Sequence, residues 1–447
     1  MKRILPQPAA GGQRERKTAM SQYKNFEKNC GCGREHPIRT DPVLIGGEVY
    51  RQLPALLAEK GVDGCPVLVW DENTRKAAAG RLLPALPGAN EVLLPAEGLK
   101  ADEKGVAILE KGLAKLEIFP TVLLAVGAGT VHDLTRFVAF QRELPFISVP
   151  TAASVDGFVS GVAAMTWEGL KKTFPSRSPI AAVVDLEVVS QAPPRLTAAG
   201  VGDMLGKYIC LADWKIAALT TGEYYCPQVV ELEEEALRKI VHSLDAVASR
   251  EPEGYRSLME GLILSGIAMQ MVGNSRPASC AEHHISHFWE MGLVDSVDHN
   301  ALHGEKVGVG AVVLADLYKR SVPSLERFCA MDRPVNHYSC QLMDMLFGQL
   351  GPGIAQENQN NPSSQVDPAL VKSHLEEIFQ VVQALPASSQ LAGYLEKVGG
   401  LSHYAQLGVT QRDMDVTLQS CCYVRSRLSL LRILRDYQLC PLTVSEK

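Results

Sequence analysis

Three residues from separate stretches of the chain have the chemistry of a three-ligand divalent metal site. Asp203 lies in AAGVGDMLGKY, His283 in SCAEHHISHFWE and His303 in ALHGEKVGVG. One carboxylate and two imidazoles from helix-like segments leave coordination positions open for a substrate, as a catalytic metal needs. His287 follows His283 by four residues, so on a helix both imidazoles share one face. Eleven histidines in 447 residues are ordinary, and surface or helix-capping roles are the alternative.

A glycine-rich turn follows the apolar run TVLLAV. The letters GAGT at 127–130 stand where a helix is predicted to begin. Glycines let backbone N–H groups approach a phosphate, and a helix N-terminus adds favourable partial charge. The junction predicts a pyrophosphate cradle, although it lacks the full GxGxxG fingerprint. The alternative is a tight turn that needs positive φ.

The next apolar run, PFISVP, ends in the small, hydroxyl-bearing loop TAASVDG at 151–157. Ligands of open α/β sheets bind beyond the carboxyl ends of strands, so one nucleotide lying across both loops is predicted. Asp156 is then near the nucleotide and, if the domains close, near the metal. The alternative is an aspartate that stabilises a turn.

Short apolar runs separated by helix-like stretches predict an N-terminal α/β domain with a mostly parallel sheet. The predicted strands are 66–70, 91–94, 121–126, 146–149 and 181–184, with helices at 46–60 and 101–116. We expect a disordered tail over 1–24, a dinucleotide-binding domain over 25–192 and the active site in the cleft before the second domain.

The second domain, over 193–447, is predicted to be all helical. Its amphipathic stretches are 197–218, 231–248, 255–272, 368–384 and 416–434. The proline pair at 193–194 suits the boundary. The polar stretch 350–367 predicts a mobile surface connection between helices.

Composition excludes some classes of partner. The net charge of −6 gives no reason to expect nucleic acid or a membrane surface, and no apolar run reaches the roughly 20 residues of a membrane helix. Eleven scattered cysteines predict free thiols in a reducing cytosol. Cys30, Cys32 and His36 could hold a metal, but no second cysteine pair follows at zinc-finger spacing, so a loop with ordinary thiols is favoured.

The ordered set of these motifs resembles the superfamily that joins iron-type alcohol dehydrogenases, glycerol dehydrogenases and dehydroquinate synthases. Within it, PTAASVDGFVSG with the later KKTF, GDMLGKYICLADWK and SRPASCAEHHISHFWEM are most similar to the sn-glycerol-1-phosphate dehydrogenase family. The resemblance covers roughly residue 25 to the C-terminus and is thin before Asp71 and across 350–367.

The resemblance implies a role for each matching position. Asp203, His283 and His303 would bind the divalent metal and, with His287, form the catalytic group. Asp156, Asp203 and His287 would contact substrate. The implied cofactor-binding residues are Asp71, Gly127, Ala128, Gly129, Thr130, Val131, Thr151, Ala152, Ala153, Ser154 and Ser160.

The resemblance further implies the reduction of dihydroxyacetone phosphate to sn-glycerol 1-phosphate with NADH or NADPH, a reaction of phospholipid metabolism. One divalent ion per subunit is expected, and an oxygen with two nitrogens suits Zn, Ni or Fe. The symmetric homodimer, the commonest assembly, is the expected oligomer. Alternatives are a polyol dehydrogenase acting on an unphosphorylated substrate, a dehydroquinate synthase-type lyase and, remotely, a binding protein without catalysis.

A phosphorylated substrate needs cationic contacts. The candidates near the motifs are Lys171, Lys172, Lys207 and Arg276, with solvated surface charge as the alternative for each lysine. Cys280 departs from the family pattern, which has a small residue there, and its thiol is expected to lie close to the metal.

Overall fold

The computed structural model describes residues 30–335 and 339–445. The predicted tail over 1–24 lies outside the described residues. Strands and helices alternate in the first part of the chain, and every regular element that the structure describes after Pro193 is helical. The domain boundary at residue 193 stays a prediction.

Six parallel strands form one sheet, and two further strands form a separate antiparallel hairpin. In chain order the strands are β1 (Val43–Gly46), β2 (Pro66–Asp71), β3 (Asn90–Leu94), β4 (Val122–Gly127), β5 (Phe146–Pro150), β6 (Val162–Trp167), β7 (Leu170–Pro175) and β8 (Ala181–Asp185). The order across the sheet is β1-β8-β5-β4-β2-β3, with β6 and β7 paired outside it. The predicted parallel α/β sheet is confirmed, whereas β1 and the hairpin were not predicted.

Both faces of the sheet are buried, which explains why its strands are continuous apolar runs. Strand β4 sends Leu124 and Val126 into one core cluster, and Leu123 and Ala125 into another on the opposite face. The flanking helices are α1 (Leu53–Glu59), α2 (Glu72–Ala85), α3 (Glu103–Ala114), α4 (Gly129–Gln141) and α5 (Leu186–Val189).

The strand order creates a crevice at the carboxyl ends of β2 and β4. The chain passes from β2 outward to β3, then returns to β4 on the other side of β2 and continues to β5. Connections therefore leave β2 and β4 in opposite directions. Ligands of open α/β sheets bind at such a switch point.

The remaining elements are helices. They are α6 (Pro194–Leu205), α7 (Lys207–Thr221), α8 (Pro227–Ala248), α9 (Pro252–Val272), α10 (Ala281–Glu290), α11 (His303–Ser321), α12 (Leu325–Cys329), α13 (Cys340–Phe347), α14 (Gly351–Glu357), α15 (Pro368–Gln383), α16 (Ser388–Lys397), α17 (Gln411–Ser420) and α18 (Leu430–Asp436). Short 3₁₀ turns lie at Val49–Gln52, Gly157–Val159, Val322–Ser324, Gly348–Leu350, Pro362–Gln365, Tyr404–Leu407 and Cys421–Tyr423.

Two predicted long helices are interrupted. The stretch 197–218 divides at Gly206, where a Cβ would lie 2.6 Å from Cγ1 of Val307, so the approach of α11 requires glycine there. The stretch 416–434 divides into α17 and α18. Ser429 caps α18 by accepting a hydrogen bond from the backbone N–H of Arg432, a signal that the continuous apolar periodicity concealed.

The prediction of a surface connection over 350–367 is wrong. This stretch contains α14 and a 3₁₀ turn, and Asn358 and Ser363 are fully buried. Their polar groups serve buried partners, since Arg432 donates to Oδ1 of Asn358 and Ser363 donates to Asp436. The polar composition reflects an internal hydrogen-bond network rather than exposure to solvent.

Candidate active site

Glycines let two helices of the candidate site pack backbone to backbone. A Cβ on Gly304 would lie 1.9 Å from the carbonyl oxygen of Ala199, and one on Gly202 would lie 2.3 Å from the carbonyl oxygen of Gly304. Helix α6 and the start of α11 therefore touch. This contact brings Asp203, next to Gly202, alongside His303, the first residue of α11.

The three predicted metal ligands converge. One ligand atom from each of Asp203, His283 and His303 lies within 4.8 Å of the others. Nε2 of His283 is 3.6 Å from Oδ1 of Asp203. Asp203 and His283 are buried, and His303 is half-buried. One oxygen and two nitrogens at this separation fit a divalent ion with open coordination positions.

Each imidazole of the triad is held by a carboxylate. Nδ1 of His283 is 2.7 Å from Oε1 of Glu282, and Nδ1 of His303 is 2.9 Å from Oε1 of Glu290. An ionised carboxylate only accepts, so Nδ1 carries the proton in both rings and Nε2 is left for a ligand. This carboxylate–histidine pairing is the usual support of metal-binding histidines.

Asp203 is kept ionised in a buried setting. Burial raises its pKa, but the charge of Lys207 and then the two imidazoles outweigh that effect and hold the pKa below its usual value. The backbone N–H of Asp156 donates to Oδ2 of Asp203 over 3.0 Å. Nζ of Lys207 lies 3.3 Å from Oδ1 of the same carboxylate.

A second group of possible ligands, made of His287, Glu290 and His303, fits a metal less well. The Glu290 carboxylate already lies 2.9 Å from Nζ of Lys171 and 3.3 Å from Nζ of Lys306. Burial raises the pKa of Glu290, but these lysines and His303 hold it well below its usual range. Its charge is therefore balanced without a metal.

His287 lies beside the triad with a ring nitrogen free. Its Nδ1 is buried and finds no hydrogen-bond partner among the described residues, and its ring centroid is 5.9 Å from that of His283 and 5.8 Å from that of His303. Burial, and after it the charge of Arg425, lowers the pKa of His287 well below its usual value. A neutral imidazole with an unpaired nitrogen can bind a substrate hydroxyl.

The side chain of Asp156 does not cap the 3₁₀ turn Gly157–Val159 that follows it. The alternative role of an aspartate that stabilises a turn is therefore not observed. Oδ2 of Asp156 accepts from Nζ of Lys207 over 2.8 Å and from Oγ of Ser265 over 2.9 Å. Lys207 is fully buried and bridges Asp156 to Asp203. The loop after β5 is thus tied to the metal-ligand candidates.

The predicted cofactor segments meet at one edge of the sheet. Asp71 ends β2, Gly127 ends β4, and Thr151 directly follows β5; these three strands are neighbours in the order β5-β4-β2. The backbone N–H of Thr151 donates to the carbonyl oxygen of Gly127 over 3.1 Å. The structure therefore places all three segments around the crevice.

The residues of this crevice fit a pyrophosphate. Helix α4 begins at Gly129 without a side-chain cap on its first N–H groups, and a Cβ at Gly129 would lie 3.3 Å from Val155. Oγ of Ser154 is buried and has no hydrogen-bond partner in the part of the chain that the structure describes. An uncapped helix start beside a glycine and a free hydroxyl is the kind of site that phosphate groups occupy. Ala128, Ala152 and Ala153 lie in the same two loops, and Thr130 and Val131 lie in the first turn of α4.

Two predicted cofactor contacts are engaged within the protein. Oδ1 of Asp71 accepts from the backbone N–H groups of Asn73 and Thr74 as the cap of α2. Oγ of buried Ser160 donates to the carbonyl oxygen of Val162. Asp71 retains one carboxylate oxygen, Oδ2, for which no hydrogen bond is found among residues 30–335 and 339–445.

The basic residues singled out for a phosphate do not present free charges. Arg276 is buried and donates to Glu223, to Cys280 and to the carbonyl oxygen of Leu428, so its guanidinium is already engaged within the protein. Lys207 is engaged as above, and Lys172 pairs with Glu168 at the surface. Lys171 pairs with Glu290 at the site itself.

The Cys280 thiol is likewise engaged within the protein. Its thiol is buried under Arg276, whose Nη1 lies 3.0 Å from Sγ, and burial raises its pKa well above the usual value. A thiol with a raised pKa is a poor nucleophile and a poor metal ligand.

Arg425 is a cation that the sequence did not indicate. Its Nη2 donates to Oγ1 of Thr173 on β7 over 2.8 Å. Within residues 30–335 and 339–445 it forms no ion pair with a carboxylate, although the charge of Glu357 acts on it. Burial, followed by the charge of Arg427, lowers its pKa to about 10. The same charge lowers the pKa of His287, so Arg425 stands near the site.

Comparison with known proteins gives the class first. Residues 44–193 match the family of iron-containing alcohol dehydrogenases. The fold is similar to that of a probable glycerol dehydrogenase from Sinorhizobium meliloti, with a TM-score of 0.58 at 19% identity over 90% of this chain and 96% of that one. It is also similar to an NAD+ complex of sulfoacetaldehyde reductase from Bifidobacterium kashiwanohense, with a TM-score of 0.57 at 16% identity over 90% and 98% of the two chains.

Full-length relatives then define the family. A protein of Halalkalibacterium halodurans named glycerol-1-phosphate dehydrogenase, NAD(P)+, is 35% identical over 94% of this chain and 98% of its own length. Another of that name, from Pyrococcus horikoshii, is 38% identical over 62% of this chain and 78% of its own length. The chain belongs to the glycerol-1-phosphate dehydrogenase family and is an oxidoreductase, which confirms the resemblance drawn from its motifs. No helix in the described part of the chain is long and apolar enough to cross a membrane.

Proposed function

We propose that the protein reduces dihydroxyacetone phosphate to sn-glycerol 1-phosphate, reversibly, with NADH or NADPH and one divalent metal ion per subunit. The observation that carries the proposal is the convergence of Asp203, His283 and His303, each imidazole supported by a carboxylate, beside a crevice suited to a dinucleotide. The names of the full-length relatives support the substrate and the cofactor.

When bound, the metal would polarise the substrate carbonyl and the nicotinamide would supply hydride. Asp203, His283 and His303 would hold the ion, and Zn, Ni and Fe all suit this donor set. The junction between β4 and α4 at 127–131 and the loop at 151–154 would hold the dinucleotide, with Asp71 toward its adenosine end and Ser160 nearby. Lys207 keeps Asp203 ionised and holds Asp156 and Asp203 against each other.

His287 would bind a substrate hydroxyl or pass a proton to the oxygen formed at the reduced carbon. Its buried, unpaired Nδ1 supports this role, because a neutral imidazole can both accept and donate. Asp156, held beside Asp203 by Lys207, would also contact the substrate.

Arg425 would bind the substrate phosphate. It is a half-buried cation near His287 that forms no ion pair with a carboxylate within residues 30–335 and 339–445, and a phosphate would supply an anionic partner. A bidentate arginine–phosphate contact is strong and directional. Thr173 would fix the guanidinium from β7.

We further propose a cytoplasmic homodimer that serves phospholipid metabolism. All eleven cysteines are free thiols, which suits a reducing compartment. A symmetric dimer is the commonest assembly of soluble enzymes.

The proposal is tested by following reduced-nicotinamide absorbance with dihydroxyacetone phosphate and, separately, with dihydroxyacetone. We expect kcat/KM to be at least about 100-fold higher for the phosphate, since an Arg–phosphate contact supplies several kcal/mol, and chiral analysis to give the sn-1 product. Equal turnover of both would indicate a polyol dehydrogenase. No net loss of reduced nicotinamide would indicate a lyase.

A further inference from the structure

Four metal-ligating side chains form a second cluster, which shares no residue with the triad. One ligand atom from each of Cys30, Cys32, His36 and Cys226 lies within 4.8 Å of the others. Sγ of Cys30 is 3.5 Å from Sγ of Cys226, and Nε2 of His36 is 3.1 Å from Sγ of Cys32 and 3.4 Å from Sγ of Cys226. His36 and Cys226 are fully buried.

His36 is oriented as a ligand. Its Nδ1 lies 2.7 Å from the carbonyl oxygen of Met271, a group that only accepts, so Nδ1 carries the proton. Nε2 therefore carries a lone pair and faces the three sulfur atoms. A backbone carbonyl on the far nitrogen is a common support of zinc-bound histidines.

Hydrogen-bond donors and a helix start lie beside two of the three sulfur atoms. The backbone N–H of Arg34 donates to Sγ of Cys32 over 3.4 Å, and the hydroxyl of Tyr224 lies 3.2 Å from the same atom. Cys226 stands at the cap position of helix α8, whose first N–H groups no side chain caps. N–H donors and a helix start both stabilise negative sulfur.

The spacing matches a tetrahedral ion better than a disulfide. Ligands at about 2.3 Å from zinc lie roughly 3.8 Å apart when both are sulfur, whereas a disulfide joins its atoms at about 2.05 Å. We propose that Cys30, Cys32, His36 and Cys226 form a closed, structural zinc site. Zinc-finger spacing does not reveal it, because Cys226 follows His36 by 190 residues.

The site would fasten the segment that precedes β1 to two helices. Cys226 directly precedes α8, and Met271, the acceptor for His36, lies in the last turn of α9. Further along the same segment, the backbone N–H of Arg39 donates to Oε1 of Gln270 over 2.8 Å. A metal that holds the start of this segment would therefore stabilise the seating of the edge strand β1.

Thiol labelling of the full-length enzyme, with and without a zinc chelator, tests the proposal. As purified with zinc, Cys30, Cys32 and Cys226 should react with iodoacetamide at least about tenfold more slowly than after chelation, because metal-bound thiolates are blocked. Exposed Cys340 is the internal control and should react equally in both samples. Peptide mass spectrometry reads each site separately.

Metal analysis gives a second readout. The Cys226→Ser variant should lose about one zinc per chain, while Asp203→Asn should keep the zinc whose X-ray absorption shows mostly sulfur ligands. Equal labelling of the three cysteines with and without chelator would overturn the proposal, as would a Cys30–Cys226 disulfide in the purified enzyme. Because labelling uses the unmodified chain, it decides the matter even if the variant fails to fold.

Discussion

The backbone N–H of Asp156 donates a hydrogen bond of 3.0 Å to Oδ2 of Asp203. This bond joins the loop after β5, one of the two predicted nucleotide loops, to the carboxylate of the metal triad. Lys207 reinforces it by contacting both side chains. The predicted cofactor loop and the candidate metal ligands are therefore coupled through a buried hydrogen-bond network.

The contact between α6 and α11 gives a first prediction. Gly304→Ala would place a Cβ 1.9 Å from the carbonyl oxygen of Ala199, so the start of α11 must move and carry His303 with it. We expect a loss of at least about 2 kcal/mol in the free energy of unfolding, with less metal bound per chain. Urea denaturation and metal analysis measure both.

Gly80→Ala is the matched control for that change. Gly80 lies exposed within α2, and a Cβ at this position would have no other atom within 4 Å. The same substitution should raise stability by up to about 1 kcal/mol. Similar effects at the two positions would show that the helix contact does not depend on glycine.

His287→Asn tests the role of the unpaired imidazole. We expect kcat/KM for dihydroxyacetone phosphate to fall about 100-fold, the usual worth of a positioned proton-transfer group, with metal content unchanged. His242→Asn, at an exposed position on α8, is the control. Unchanged rate and unchanged substrate affinity in His287→Asn would remove His287 from the site.

Arg425→Met tests the phosphate contact. The loss of a charge-assisted contact should raise KM for dihydroxyacetone phosphate about 10- to 100-fold and leave the slow turnover of dihydroxyacetone unaffected. Lys172→Met, which removes a surface charge paired with Glu168, should change neither value. A parallel loss on both substrates in Arg425→Met would assign the arginine to structure instead.

Buried His132 should make the free energy of unfolding depend on pH under acidic conditions. It is buried in α4, its ring contacts the carbonyl oxygen of Ala128 and Oγ of Ser148, and burial followed by Arg136 lowers its pKa to about 3. An unfolded histidine has a pKa of about 6.5, so between those values only the unfolded chain binds the proton. The free energy of unfolding must then fall as pH falls, by about 1.4 kcal/mol per pH unit.

The variant His132→Asn removes this titration while keeping a donor for Ala128. We expect its urea midpoint to depend less on pH between about 6.5 and 4.5 than that of the wild type, since other groups titrate equally in both. Parallel curves for the two proteins would contradict the buried neutral histidine.

Local patterns predicted the sheet and the residues of the candidate site. The runs that became β2, β4 and β5 are apolar throughout, and their loops carry the glycines and hydroxyls. Helix breaks and burial that depend on residues distant in the sequence could not be predicted from local patterns. The break at Gly206 depends on Val307, and the polar stretch around Asn358 is buried because it serves Arg432.

The sequence also does not show which basic residues have a free charge. Arg276 lies next to a site motif in sequence, yet its charge faces Glu223. Arg425 lies more than a hundred residues after His287 and carries no motif, yet its charge acts on that imidazole. Which cation is free depends on the carboxylates that surround it in three dimensions.

The most direct test of the metal-centred account is the rate of NADH oxidation with dihydroxyacetone phosphate before chelation, after chelation and after return of one divalent metal at a time. We expect chelation to abolish NADH oxidation, a returned metal to restore it, and Asp203→Asn to stay inactive with any metal. A chelated wild type that keeps its rate, or an Asp203→Asn variant as fast as wild type, would contradict it.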